Sequence, residues 1–242
     1  MFLLSFKLKY LVTILPLILT QVIFTKSYSQ ENKEDLNIVL VSKFGEEHIL
    51  KDTWYITETK DSIQISKIKF YLTDFKIESK RGKGQSINNS NHLIDVFDKN
   101  TLNIVLPNVD ISTCNEVLFN IGVEEEMNTS GALSGDLDPS KGMYWSWQSG
   151  YINFKFEGNS PSCETRKNKF QFHIGGYQKP FTTTRPITIL AKSIKDNTLT
   201  IILDFSKIFK SINLNSTNQV IIPGKEAFDL AEILPTLFSV DD

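Results

Sequence analysis

The stretch from Leu137 to Gly158 constrains the fold more than any other part of the chain, because its first half reads as a loop and its second as a strand. Pro139, Gly142 and Gly150 punctuate the first half, which carries two of the three tryptophans, Trp145 and Trp147. In the second half Ile152, Phe154 and Phe156 alternate with Asn153, Lys155 and Glu157, the period-2 pattern of a half-buried strand. An aromatic loop therefore feeds a strand. Large aromatics in a loop need either a core to bury in or a ligand to touch.

The same alternation recurs on both sides. Leu36 to Phe44 is almost continuously apolar, as in a strand covered on both faces, and Trp54 to Thr57 reads as a short strand. Ile68, Phe70 and Leu72 share one parity and Phe75 and Ile77 the other, so a bulge is expected near Thr73 and Asp74. Ser79 to Asn91 is polar and reads as a mobile hairpin loop. Strands are expected at His92 to Phe97, Leu102 to Leu106, Val117 to Ile121, Pro186 to Ala191 and Leu199 to Phe205, with a long connection from Gly122 to Ser140. Phe170, Phe172 and Ile174 alternate with Gln171 and His173, which turns His173 away from the phenylalanine row. Only the end has helical spacing: Ala227, Phe228, Leu230, Ala231 and Leu234 follow Pro223-Gly224 and stop at Pro235. This pattern predicts an all-β chain, a β-sandwich of immunoglobulin-like or Greek-key type, with a short C-terminal helix closing one edge.

The first 29 residues read as a secretion signal, with Lys7 and Lys9, an apolar run from Tyr10 to Phe24, and small residues at Ser27 and Ser29. The run is short for a membrane span and Pro16 interrupts it, so the expectation is cleavage after Ser29 and a single domain over residues 30–242, periplasmic or secreted. The net charge of the whole chain is −2, and loss of Lys7, Lys9 and Lys26 makes the remainder more acidic. That balance argues against nucleic acid or an anionic membrane as the main partner. In an exported chain the default for Cys114 and Cys163 is a disulfide, closing a loop of about 50 residues and contributing up to ~4 kcal/mol. No short cysteine spacing supports a thiolate metal site instead.

Catalytic motifs are absent: there is no Gly-x-Ser-x-Gly, no His-Glu-x-x-His and no phosphate-cradling glycine loop, and the chain is not expected to be an enzyme. Gly135-Asp136-Leu137-Asp138 lacks the glycine and distal glutamate of a calcium loop. Histidine occurs at positions 48, 92 and 173 only. Of these His173 is best placed for function, in Phe-His-Ile-Gly-Gly, where Gly175 and Gly176 permit a tight turn or a close approach.

Three pieces together carry a family resemblance: Thr113-Cys114-Asn115-Glu116-Val117-Leu118-Phe119-Asn120-Ile121-Gly122, then Gly142-Met143-Tyr144-Trp145-Ser146-Trp147-Gln148-Ser149-Gly150-Tyr151 with Glu157-Gly158, then Phe172-His173-Ile174-Gly175-Gly176. With Asn91 to Asp95 as a further piece, they resemble the MbnP-like family, envelope copper proteins named for their association with methanobactin. The resemblance implies a β-sandwich that binds copper outside the cytoplasm, through histidines and, in some members, a tryptophan oxidised to kynurenine by a dihaem MauG-like partner enzyme. An outer-membrane transporter is a further implied partner. Carried onto this chain, the implied metal ligands are His173 and then His92, and Trp145 or Trp147 is the implied modified residue; Met143 is a further candidate ligand, its soft thioether being suited to Cu(I). The chemistry is coherent, since an intact indole has no nitrogen lone pair for a metal whereas ring opening yields an aryl amine. A different class also fits the aromatic loop: a non-metal ligand- or glycan-binding module with Trp145 and Trp147 as a stacking platform.

Overall fold

A computed structural model describes residues 33–80, 82, 84–88, 90–146 and 149–240. The expected signal segment, residues 1–29, lies outside the described residues, as does Trp147.

Sixteen strands can be followed among them. The first eight are β1 (Glu34–Phe44), β2 (Glu47–His48), β3 (Trp54–Ile56), β4 (Ser62–Ser79), β5 (Gln85–Ser86), β6 (His92–Asp95), β7 (Asn103–Val109) and β8 (Cys114–Ile121). After the short helix α1 (Glu125–Thr129) come β9 (Tyr144–Ser146), β10 (Gly150–Asn159), β11 (Lys169–Gly175), β12 (Arg185–Leu190), β13 (Ile194–Lys195), β14 (Thr198–Asp204) and β15 (Gln219–Val220). Helix α2 (Lys225–Ala231) and β16 (Phe238–Val240) complete the chain. The fold is all-β, as the alternation predicts.

The strands form two sheets. The smaller has the order β13-β14-β1-β2, with β7 also on β1 and β16 on β14, and β1 runs parallel to β14. The larger has the order β12-β8-β4-β10-β11-β15, with β3, β5 and β6 also on β4 and β9 on β10. Their facing sides share one core, in which Leu36, Ile38 and Leu40 of β1 and Leu199, Ile201 and Leu203 of β14 meet Phe70, Phe154, Phe156, Phe170 and Phe172 of the larger sheet. Phe156 stands edge-on to Phe170 (5.6 Å) and Phe209 (5.5 Å), the geometry that aromatic quadrupoles favour.

The 18-residue strand β4 is the spine of the larger sheet. It changes the side its residues face twice, at the register shift opposite Glu157/Gly158 and at Asp74, whose φ of 55° marks the expected bulge. β1 is buried along one side only, its alternate residues being half-buried, so it is less covered than its apolar run predicts. The polar stretch after Ser79 contains β5, paired back onto Lys76 and Ile77, so the expected hairpin is present. Within the long connection expected from Gly122 to Ser140, Glu124 caps and Glu125 and Glu126 open the short helix α1.

The expected disulfide is not formed: Cys114 and Cys163 are both buried free thiols. The reason is topological. Cys114 pairs with Ser79 at one end of β4, while Cys163 lies beyond Asn159, which pairs with Gln64 near the other end. Those two ends are about 15 residues apart, roughly 50 Å of extended strand before bulges shorten it, whereas a disulfide needs Cα atoms within ~7 Å. Burial pushes both thiols upward, Cys163 to about 11, so neither is a ready thiolate.

Candidate functional site

The larger sheet has a second buried side. The connection from Val123 to Trp145 folds over its outer face, and Tyr71, Leu93, Val123, Leu137, Met143, Tyr151 and Ile152 form a satellite core there, flanked by Tyr144 and Trp145. The aromatic loop thus finds a core to pack on. Two buried asparagines hold this layer. Asn128 donates to the carbonyls of Val123 and Glu124 and accepts from the Tyr151 N–H (2.7 Å), while Asn153 accepts from the Val123 N–H and donates to Thr183 Oγ1. Satisfied amides of this kind fix one arrangement, since an unpaired one would be costly. Gly150 is required beside them: its φ is 72° and a Cβ would sit 2.1 Å from Asn128 Oδ1.

Asn153 also changes the strand. The register of β10 against β11 shifts between Ile152 and Phe154, so Ile152 joins the satellite core while Phe154 and Phe156 stay in the main one. The single alternation expected through Ile152, Phe154 and Phe156 is therefore broken by this bulge. β10 is buried from Gly150 to Phe156, more fully than a half-buried strand.

Beyond the satellite core the outer face becomes charged. His173, Lys155, Lys69 and Asp95 are cross-strand partners in one row over β11, β10, β4 and β6. His173 turns away from Phe170, Phe172 and Ile174, as its parity predicts, and its side chain is 14% exposed. Its Nε2 lies 2.7 Å from Glu157 Oε1, and Lys67 Nζ lies 3.3 Å from the other carboxylate oxygen. The His173 hydrogen bond, then Lys67, hold the Glu157 carboxyl down to about 2. An ionised carboxylate only accepts, so Nε2 carries the hydrogen, and the neutral tautomer that this bond selects has its lone pair on Nδ1. A carboxylate behind an imidazole is the usual means of fixing the tautomer and aim of a metal-ligating histidine.

Trp145 reaches the same face. A Cβ on Gly175 would lie 2.7 Å from Trp145 Cζ3 and 2.5 Å from the Tyr151 carbonyl, so the indole rests on the strand where the glycine leaves room. Gly175 and His173 are two residues apart on one side of β11, about 7 Å along the strand. Lys155, nearly buried, donates to the Gly142 carbonyl and ties the start of the loop to this row, and burial pushes its pKa down.

The other expected ligands fall elsewhere. His92 pairs with Leu72 and shares the side of Ile94, with its ring edge-on to Phe75 at 5.7 Å, so it faces the inter-sheet core and His173 faces the reverse side. Burial lowers its pKa. His48 is exposed on β2 of the smaller sheet. Met143 is fully buried in the satellite core. No two-imidazole pair is assembled, and among the described residues no group of three His, Cys, Asp or Glu stands close enough to hold a metal ion. Glu157 falls within the motif pieces, as Glu157-Gly158, but was given no role there, and Lys155 and the two asparagines lie outside them; for Glu157 and Lys155 the available signal was their parity with His173 on paired strands.

With this geometry in view, comparison with known proteins places the fold. MbnP from Methylosinus trichosporium superimposes with a TM-score of 0.58 at 14% identity, covering 76% of this chain and 80% of that one, a likeness of fold. No curated protein sequence matches the chain. A family model described as MbnP matches residues 33–223, most of the chain and all of the outer-face site, and the chain belongs to the MbnP family.

Proposed function

We propose that this chain is an exported copper-binding protein of the periplasm or cell envelope, without turnover of its own, in which His173 is the imidazole ligand and Trp145 the residue that completes the site once oxidised to kynurenine. One observation carries the reading: the Trp145 indole rests on Gly175, on the same side of the strand as an imidazole whose Nε2 is held by an ionised carboxylate. The donor set agrees with it. Copper favours imidazole and amine nitrogens, and an intact indole supplies none, so His173 alone is a weak site and His173 with an aryl amine a stronger one. Copper retention would then depend on a partner oxidase, a dihaem enzyme by family resemblance.

This reading leaves His92 and Met143 out of the ligand set, because His92 opens toward the opposite side of the sheet and Met143 is enclosed among Tyr71, Tyr151 and Leu137. The test is native protein purified from the envelope, with copper measured alongside peptide mapping of Trp145. Copper should be found with protein whose Trp145 peptide has lost one carbon and gained one oxygen. Copper bound equally by protein with Trp145 intact would reject the role of the indole.

A further inference from the structure

The third tryptophan stands apart from this site. Trp54 on β3 is 52% exposed and Ile56 beside it 62%, a large apolar surface to leave against water. Strand pairing puts Trp54 opposite Gln64, Gln64 opposite Asn159 and Asn159 opposite Lys169, one row across β3, β4, β10 and β11. Tyr55, Ile63, Ile65 and Phe170 are buried on the core side, so all four members of the row face outward. Three strand intervals make it about 14 Å long, and it lies about 13 Å along β11 from His173.

The row floors an open groove walled by Ser160, Pro161, Lys167 and Asn168. Lys167 and Asn168 both adopt left-handed backbone, at φ 63° and 54°, in a tight turn before Lys169, and Lys167 and Lys169 both line the groove. Gln64 donates through Nε2 to the Asp52 carbonyl, which leaves its amide oxygen as the free acceptor. The groove thus offers an indole face, two amides and two ammonium groups, and among the described residues no acidic side chain lines it.

We infer that this groove binds a linear oligosaccharide bearing carboxylates, of the uronic-acid kind. A pyranose ring presents an apolar C–H face that matches the indole, its hydroxyls both donate and accept as Gln64 and Asn159 require, and a carboxylate meets Lys167 and Lys169. The charge of the lining selects an anionic over a neutral glycan.

Calorimetric titration of the purified protein with linear trigalacturonate tests this, with maltotriose as the neutral probe and a short single-stranded oligodeoxynucleotide as the anionic one. Trigalacturonate should bind saturably, and Trp54→Ala, or Lys167→Gln with Lys169→Gln, should weaken it at least tenfold with the far-UV spectrum unchanged. His173→Ala should leave it intact. Absence of binding at millimolar sugar, binding that survives Trp54→Ala, or equal affinity for either control probe would overturn the inference. Self-association abolished by Trp54→Ala would assign the face to a second copy of the chain and overturn it too.

Discussion

His173 and Glu157 make a pair whose consequences are measurable without any metal. The folded Glu157 carboxyl lies at about 2, below the ordinary 4.5, so the pair stabilises the fold above pH 4.5 and that contribution is lost as pH falls toward 2. Glu157→Gln should therefore flatten the loss of stability over that interval, read from urea midpoints; an unchanged acid slope would mean the pair is not formed. Gly175→Ala tests the placement of the indole, since the added methyl collides with Trp145 and the Tyr151 carbonyl. It should cost ~1–3 kcal/mol and change the near-UV tryptophan signal; an unaltered signal would put the indole elsewhere. The outward aim of His173 was legible in sequence because period-2 alternation fixes it. That His92 faces the other way was not, because its side depends on which residue of β4 it pairs with.

At the scale of elements, the phenylalanine rows of β10 and β11 announced the sheet, and Phe156, wholly buried among Phe170, Phe205 and Phe209, shows why. Phe156→Ala should cost ~3–5 kcal/mol in denaturant unfolding. The C-terminal helix was legible too, with Ala227, Ala231 and Leu234 of its apolar set buried in the core and Leu230 packed against it; Phe228 is the exception. α2 buries Ala227 and Ala231, whereas Phe228 is half-exposed and stacks under the Arg185 guanidinium at 4.8 Å. Phe228→Ala should therefore cost only ~1–2 kcal/mol, the scale of a cation–π contact with partial burial; a loss as large as that of Phe156→Ala would place the ring in the core. The bulge at Asn153 stayed illegible, since a buried asparagine reads as an outward polar residue until its partners Val123 and Thr183 are known.

Across the whole molecule, the all-β class followed from local pattern, while the long-range pairing did not. The cysteines illustrate the gap: two in a chain expected to be exported suggest a bridge, and the length of β4 between them forbids it. Both thiols should resist alkylation in the native protein and both should react once it is unfolded without reductant; a mass deficit of two hydrogens would contradict this topology. The outer-face layer is likewise a product of long-range folding, a loop brought back over the sheet by Asn128 and Asn153 so that Trp145 meets the side of β11 that carries His173. The most direct test of the proposed metal site is copper content per chain of envelope-purified protein, wild type against His173→Ala and His92→Ala. The site described here requires His173→Ala to lose the copper while staying folded and His92→Ala to keep it. Copper retained by His173→Ala, or lost equally from His92→Ala with its fold intact, would contradict it.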